Sequence, residues 1–283
     1  MAGGVSVYVE LEPPTWTLDR DKFFKAFTSR TKAVILNSPL NPTGKVFCKE
    51  ELDIVAEACR QGDCFAITDE VYEHITYDNV KHITLASLPE MRQRTIITSS
   101  LSKTFGVTGW RIGWAAAPAP IASAIRNVHV RMTDSAPAPF QEAALTALNS
   151  SAEYYHLLRK DYESKRNFVV NLLSRIGFKI QFVPQGSFFL FAEIPATSSL
   201  TDIEFVKKLI EQAGVVAVPG RGFFHPSSYT EGRSDALLEY QQRYIRFAFC
   251  KSEATLAAAA HKLQEITDSA GSIILESSCH GKC

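Results

Sequence analysis

Hydrophobic and polar positions follow two periods along this chain, and the period predicts the type of element. Short apolar or alternating runs, typical of β-strands, cover 5–11, 32–36, 64–68, 94–98, 178–183, 188–194, 215–218 and 243–250. Apolar residues three and four positions apart, typical of amphipathic helices, cover 20–29, 49–60, 121–132, 140–149, 152–176, 202–212 and 253–267. Most strands before residue 150 are therefore followed by a helix.

This order of elements predicts an α/β fold with two domains. The strands before residue 150 are nearly all apolar, which is typical of a mostly parallel sheet sandwiched by helices on both faces. We expect residues 1–150 to belong to a large domain and residues 151–270 to a smaller α+β domain that includes the long helix. Residues 271–283 are predicted to form a disordered tail, and the connection 222–239 to be functional or mobile.

The overall charge excludes several classes of partner. Thirty basic and thirty acidic residues cancel, so no basic field favours nucleic acid or an anionic membrane. No apolar run approaches the length of a membrane span, and we expect a soluble intracellular protein, cytoplasmic or organellar. The six cysteines form no zinc framework, so no metal is predicted. The cysteines and the histidine of the segment 279–283 could chelate a metal ion weakly, but a disordered tail is the favoured interpretation there.

A lysine follows the predicted strand 94–98, within a run of small hydroxyl residues. Lys103 lies three positions after Ser100 and eight before Arg111. An open α/β sheet binds its ligand at such strand ends, where a lysine can form a Schiff base with an aldehyde. Ser100 and the donor fork of Arg111 are suited to an anion. Two alternatives stand: a solvated surface lysine, or the Ser-x-x-Lys of penicillin-binding enzymes, in which the serine is the nucleophile.

Polar residues also follow two other predicted strands. Asn41 lies after the strand 32–36, and Asp69 and Tyr72 lie after the strand 64–68. The carboxyl ends of parallel strands meet at one edge, so these side chains are expected near Lys103. Taken singly, Asn41 could begin a turn, Asp69 could cap a helix, and Tyr72 could lie on an amphipathic rim. Arg246, in the alternating run 243–250, could merely face solvent.

Four motifs, taken together and in order, resemble a known family. They resemble the fold-type-I pyridoxal-phosphate aminotransferases of class I/II, closest to the kynurenine/glutamine branch, over about residues 3 to 268. The motifs are Asn41-Pro42-Thr43-Gly44-Lys45, Asp69-Glu70-Val71-Tyr72, Ser100-Leu101-Ser102-Lys103 with Arg111, and Tyr244-Ile245-Arg246-Phe247. One such motif alone is a weak signal, whereas four in family order are specific.

The resemblance implies a cofactor, substrates and a role for each residue. The cofactor is pyridoxal 5′-phosphate, the substrates are an L-amino acid of the kynurenine, glutamine or methionine type and a 2-oxo acid, and the assembly is a homodimer. Lys103 carries the cofactor as a Schiff base and moves the Cα proton. The resemblance further implies that Asp69 binds the pyridine nitrogen, and that Asn41 and Tyr72 bind the ring 3′-oxygen. It implies that Ser100 and Arg111 bind the phosphate, and that Arg246, with Asn41, binds the substrate carboxylate.

The chain departs from the family pattern at its beginning. Residues 1–4 resemble an internal stretch of the family, which predicts an N-terminally truncated product with an incomplete large, cofactor-binding domain. Two alternatives to a transaminase follow. One is a lyase on the same scaffold, because the geometry around Cα decides which bond breaks. The other is a non-catalytic truncated family member.

Overall fold

The computed structural model describes residues 3–224 and 240–275. Its strands are β1 Ala33–Asn37, β2 Phe65–Asp69, β3 Thr95–Ser100, β4 Gly113–Ala116, β5 Phe189–Glu193, β6 Val218–Pro219 and β7 Tyr244–Ala248. Its α-helices are α1 Arg20–Lys25, α2 Lys49–Gln61, α3 Leu101–Thr104, α4 Ala119–Thr133, α5 Ala138–Leu148, α6 Ala152–Arg175, α7 Asp202–Ala213 and α8 Glu253–Glu265. The predicted α/β fold is confirmed.

The chain divides into two compact units. The first comprises residues 1–41, 45–161 and 185–187, and the second comprises residues 42–44, 162–184 and 188–283. Helix α6 therefore contributes residues to both units. The domain boundary predicted at residue 150, and the nature of the tail, stay predictions. Residues 225–239 of the predicted long connection and residues 276–283 lie outside the described residues.

The first unit is built on a four-stranded sheet in the order β1-β2-β3-β4. Strands β1, β2 and β3 are parallel, and β4 is antiparallel to β3. Their apolar, β-branched sequences suit a sheet that is buried on at least one face. This mixed, mostly parallel sheet brings the carboxyl ends of three strands to one edge.

Helix α2 covers one face of this sheet. Its buried positions Leu52, Val55 and Cys59 recur three and four residues apart and pack in one core with Ala66 of β2 and Met91. The opposite face differs from the prediction of helices on both sides. There Ile35 of β1 is 78% exposed, and Phe65 is also exposed.

Two predicted strands do not form. Residues 5–11 have no regular structure, and Val5 and Val7 are exposed. Residues 178–183 contain a single bridge, from Lys179 to Glu193. Alternation describes the side chains only, whereas a strand also needs a neighbour that takes its backbone hydrogen bonds. Within residues 3–224 and 240–275, the stretch 178–183 has one isolated bridge, at Lys179, and the stretch 5–11 has no β-bridge.

The second unit contains a three-stranded antiparallel sheet in the order β5-β7-β6. The ring of Phe178 packs edge-to-face on Phe205 of α7 and on Phe247 of β7. Thr201 is the N-cap of helix α7 and forms a capping box with Glu204. In 3–224 and 240–275, no helix combines the length and the apolar content needed to cross a membrane.

Candidate active site

The edge of the first sheet assembles most of the predicted site residues. Asn37 at the end of β1 pairs in register with Asp69 at the end of β2, and Asp69 pairs with Thr98 of β3. Ser100, the last residue of β3, pairs with Gly113, where β4 begins in the opposite direction. Consequently Asp69, the Ser100–Lys103 segment and Arg111 all belong to the same edge.

Asn37 connects Asp69 with Asn41, and it lies outside the sequence motifs. Its side-chain amide donates to the carbonyl oxygen of Asp69 at 2.9 Å. Its side-chain oxygen accepts the backbone N–H of Asn41 at 2.8 Å. An asparagine after a strand is typical of a turn, so its position four residues before Asn41 is the only signal in the sequence. Asn37 thus fixes the Asn41 loop to the end of β2.

Lys103 lies on α3, the single helical turn that follows β3 directly. Ser100 is its N-cap, and the Ser100 hydroxyl oxygen accepts the backbone N–H of Ser102 at 3.3 Å. This cap explains why the chain turns from strand to helix at Ser100. Lys103 itself is half-buried between the buried residues Ser102 and Thr104. It is therefore not the solvated surface lysine of the alternative interpretation.

Arg111 has an unusual backbone and an available guanidinium. Its backbone φ of 57° lies in the left-handed region. Residues other than glycine rarely adopt this conformation, and those that do are often found at functional sites. Nη1 donates to the carbonyl oxygen of Thr108 at 3.0 Å. No carboxylate among residues 3–224 and 240–275 pairs with this exposed side chain. An anionic ligand can therefore bind there.

Asp69 is the acidic counterpart at the same edge. Its Oδ1 accepts the backbone N–H of Val71 at 3.2 Å, which closes the turn after β2. The residue is exposed, and no cation in the described part of the chain pairs with its carboxylate. Tyr72, in the same turn, is 3% exposed and is therefore a buried side chain and not a rim residue.

Glu70 is a buried acid beside Asp69, and the sequence motifs assign it no role. Its carboxylate accepts hydroxyls of Thr68 and Thr84 at 2.8 Å each and lies 2.7 Å from Nε2 of His82. Burial acts to raise the pKa of Glu70, but the bonds from His82, Thr68 and Thr84 outweigh it and hold the pKa below its ordinary value. Glu70 therefore fixes the turn that carries Asp69 and Tyr72.

Arg246 belongs to the second unit. It lies on β7 in register with Phe191 of β5 and Val218 of β6. Its guanidinium carbon lies 4.2 Å from the ring centre of Phe189 and 4.8 Å from that of Phe223. Cation–π contacts of this kind hold the planar fork in one orientation. Arg246 is thus a half-buried, oriented cation and does not merely face solvent.

Comparison with known proteins assigns the family. The family model "Aminotransferase class I and II" matches residues 1–263. The chain belongs to this aminotransferase family, as its motifs predict. It is 36% identical to human kynurenine–oxoglutarate transaminase 1 over 294 residues, 94% of this chain and 67% of that protein. It is 34% identical to the methionine aminotransferase of Escherichia coli, over 94% of this chain and 66% of the relative.

Solved structures support the same assignment. The chain resembles N-succinyldiaminopimelate aminotransferase from Mycobacterium tuberculosis with a TM-score of 0.81 and 36% identity, over 89% of this chain and 62% of that chain. It also resembles Bna3p from Saccharomyces cerevisiae, described as a putative kynurenine aminotransferase, with a TM-score of 0.82 and 32% identity, over 92% of this chain and 66% of that chain. The chain spans about two thirds of the length of its relatives.

The groups at the sheet edge fit the cofactor of this family. Class I aminotransferases depend on pyridoxal phosphate. Its aldehyde requires an amine, its pyridine nitrogen an acid, and its phosphate a cation with hydroxyl donors. The edge offers Lys103 as amine, Asp69 as an acid that no cation pairs with among the described residues, and Arg111 with Ser100 for the phosphate. This donor set matches the cofactor group by group.

Proposed function

We propose that this chain is an aminotransferase that uses pyridoxal phosphate to move the amino group of an L-amino acid to a 2-oxo acid. One observation supports this most strongly. A carboxylate and a guanidinium without charged partners among the described residues share one sheet edge with a half-buried lysine. Both charged groups are exposed, so a ligand that carries a cationic and an anionic group can pair with them in place of water.

The proposed roles follow from these groups. Asp69 holds the pyridine nitrogen in its protonated form, since its carboxylate is available to a cation. Arg111 and the Ser100 hydroxyl hold the phosphate. Asn41 and Tyr72 donate to the ring 3′-oxygen, and Asn37 keeps Asn41 in place through its 2.8 Å bond to the Asn41 backbone.

Lys103 has the central role in the chemistry. Pyridoxal phosphate, when bound, supplies an aldehyde that condenses with an amine with loss of water, and a ring that accepts the electron pair left when a Cα–H bond breaks. The Lys103 amine takes the proton from Cα and delivers it to the carbon of the aldehyde group, on the other side of the shared nitrogen. Over a full cycle the donor leaves as its 2-oxo acid and the acceptor leaves as an amino acid, so atoms and electrons balance without an external oxidant.

The substrate class rests on Arg246 and on the relatives. A half-buried guanidinium held between two rings is suited to bidentate binding of the substrate α-carboxylate. The similar proteins are described as acting on kynurenine, methionine and N-succinyldiaminopimelate. We infer donors of the kynurenine, glutamine or methionine type, and a homodimer as the active assembly, which light scattering of the purified protein tests.

The test is chemical trapping of the lysine. We expect borohydride reduction in the presence of pyridoxal phosphate to leave a pyridoxyl group on Lys103, identified by peptide mass spectrometry. Lys103→Ala should lose the adduct and all turnover, because it removes the amine that condenses with the cofactor. Arg246→Ala should keep the adduct and chiefly raise KM for the amino acid.

The controls separate the alternatives. Lys165→Ala removes a lysine of the second unit and should change neither the adduct nor the turnover. An adduct on a lysine other than Lys103 would contradict the assignment. Release of carbon dioxide, or of a fragment of the donor, without formation of a new amino acid would identify a lyase. An adduct without any turnover would favour the non-catalytic alternative.

A further inference from the structure

The helical turn that carries Lys103 is too short to provide hydrogen-bond donors for all of its own carbonyl groups. Helix α3 comprises only Leu101–Thr104, and a single turn leaves most of its C=O groups without an intrahelical partner. The backbone N–H of Phe105 bonds the carbonyl of Leu101, and that of Gly106 bonds the carbonyl of Lys103. The carbonyls of Ser102 and Thr104 are bonded by side chains that come from outside the turn.

The carbonyl of Thr104 accepts a hydrogen bond from Tyr154, fifty residues further along the chain. The Tyr154 hydroxyl donates to this oxygen at 2.7 Å. The Tyr154 ring also stacks on Phe105, with centroids 5.3 Å apart and planes 10° apart. Thr104 is buried, so its carbonyl has little access to water as a substitute. Tyr154 of α6 therefore contacts both residues that follow Lys103.

The carbonyl of Ser102 accepts a bond from a second hydroxyl. Oγ1 of Thr108 donates to this oxygen at 3.0 Å. The carbonyl of the same Thr108 accepts Nη1 of Arg111 at 3.0 Å. Thr108 thus joins the lysine-bearing turn to the arginine at the sheet edge.

From these contacts we propose that Tyr154 is a positioning residue for Lys103, acting with Thr108 from the other side of the turn. The proposal rests on the proposed function, because it concerns the lysine that condenses with the cofactor. The two hydroxyls hold the carbonyls immediately before and after Lys103, and so fix the backbone from which its amine extends. Bond formation is sensitive to displacements of about 1 Å, so loosening the turn slows the reaction of the amine.

The ionisation of Tyr154 is consistent with a permanent donor. Burial, with the neighbouring Tyr155 adding to it, raises the pKa of the Tyr154 phenol above its ordinary value. The hydroxyl therefore stays protonated and continues to donate under alkaline conditions in which an ordinary phenol begins to ionise.

The adjacent tyrosine provides a matched control. Tyr155 also contacts the ring of Phe105, edge-to-face at 6.3 Å, but its hydroxyl makes no hydrogen bond within residues 3–224 and 240–275. Tyr154→Phe and Tyr155→Phe each remove one oxygen atom from neighbouring rings. The two variants differ in whether that oxygen holds the turn of Lys103.

The experiment measures the rate at which Lys103 reacts with pyridoxal phosphate, and it does not depend on turnover. The apo-protein of each variant is mixed with pyridoxal phosphate and reduced with borohydride at timed intervals, and the pyridoxyl group on Lys103 is counted by mass spectrometry. We expect Tyr154→Phe to lower the trapping rate roughly threefold to tenfold, the effect of one lost hydrogen bond, and Tyr155→Phe to leave it unchanged. Quenching of tryptophan fluorescence should show that pyridoxal phosphate still binds Tyr154→Phe.

A second pair of variants covers the case in which Tyr154→Phe fails to fold. Thr108→Val, which removes the other hydroxyl, should slow trapping in the same way, and Thr108→Ser should restore it. Equal trapping rates in wild type, Tyr154→Phe and Thr108→Val would overturn the positioning role while leaving Lys103 as the reactive lysine. Absence of any Lys103 adduct in the wild type would overturn the proposed function and this inference with it.

Discussion

At the scale of single residues, the site depends on charges that are satisfied by different means. Glu70 is buried and fully hydrogen-bonded, whereas its neighbour Asp69 is exposed and has no cationic partner in the described part of the chain. The first carboxylate is structural, since its bonds fix the turn after β2. The second is available to a ligand. Two adjacent acids thus have different functions because their surroundings differ.

The lowered pKa of Glu70 predicts a specific dependence of stability on pH. A carboxyl whose pKa is lower in the folded state stabilises the protein above its ordinary pKa of about 4.3, and this contribution is lost as pH falls through the lowered value. We expect Glu70→Gln to reduce the free energy of unfolding by about 2 kcal/mol at pH 7. The difference from wild type should shrink below about pH 4, as urea unfolding at several pH values will show.

The control for this prediction is Glu57→Gln. Glu57 pairs with Arg20 at the surface, where the pair is solvated, and its loss should have a much smaller effect at every pH. A difference between Glu70→Gln and wild type that stays constant down to pH 2 would contradict the structural role of the charge.

At the scale of elements, β1 shows how one strand has two different faces. Val34 packs against the core beneath α2, whereas the next residue, Ile35, is 78% exposed. Successive side chains of a strand point to opposite faces, so the two positions share a backbone but not an environment. The stability of the fold should therefore depend on Val34, and the solubility of the protein on Ile35.

Matched substitutions to threonine test this difference, because threonine keeps the β-branched shape. Val34→Thr places a hydroxyl against the core and should lower the free energy of unfolding by about 1–3 kcal/mol. Ile35→Thr should change it by less than about 0.5 kcal/mol and should reduce aggregation, since it removes exposed apolar surface. Urea unfolding and light scattering measure the two effects. Equal destabilisation by both variants would show that the sheet face at Ile35 is buried in solution.

At the scale of the whole molecule, the proposed ligand residues of the sheet edge belong to the first unit, while Arg246 belongs to the second. A ligand that binds only the folded state stabilises it, by about 2.7 kcal/mol at one hundred times its Kd. Binding of the cofactor to the first unit can therefore be measured, without substrate, as a rise in the thermal stability of the protein.

We expect pyridoxal phosphate to raise Tm, and pyridoxal without the phosphate to raise it less, because Arg111 and Ser100 bind the phosphate. In Arg111→Ala this difference between the two ligands should largely disappear. Differential scanning calorimetry of the four combinations measures it. Should Arg111→Ala keep the full difference, the phosphate binds elsewhere.

The amino-acid sequence by itself determined the elements with strong hydrophobic periodicity and the identity of the chemical groups. The predicted runs 32–36, 49–60 and 64–68 correspond to β1, α2 and β2, because burial of one face is encoded locally. The motifs likewise placed Asp69 and Lys103 at strand ends, where the structure has them.

Only the tertiary structure decided which segments pair and which polar groups meet. Among the described residues, the alternating run 5–11 has no β-bridge and the run 178–183 has one, at Lys179, and neither forms a strand. Asn37, Glu70 and Tyr154 obtain their roles from the carbonyl of Asp69, from His82 and from the carbonyl of Thr104. Backbone pairing and hydrogen bonding between distant residues depend on three-dimensional proximity, which a local pattern of side chains does not contain.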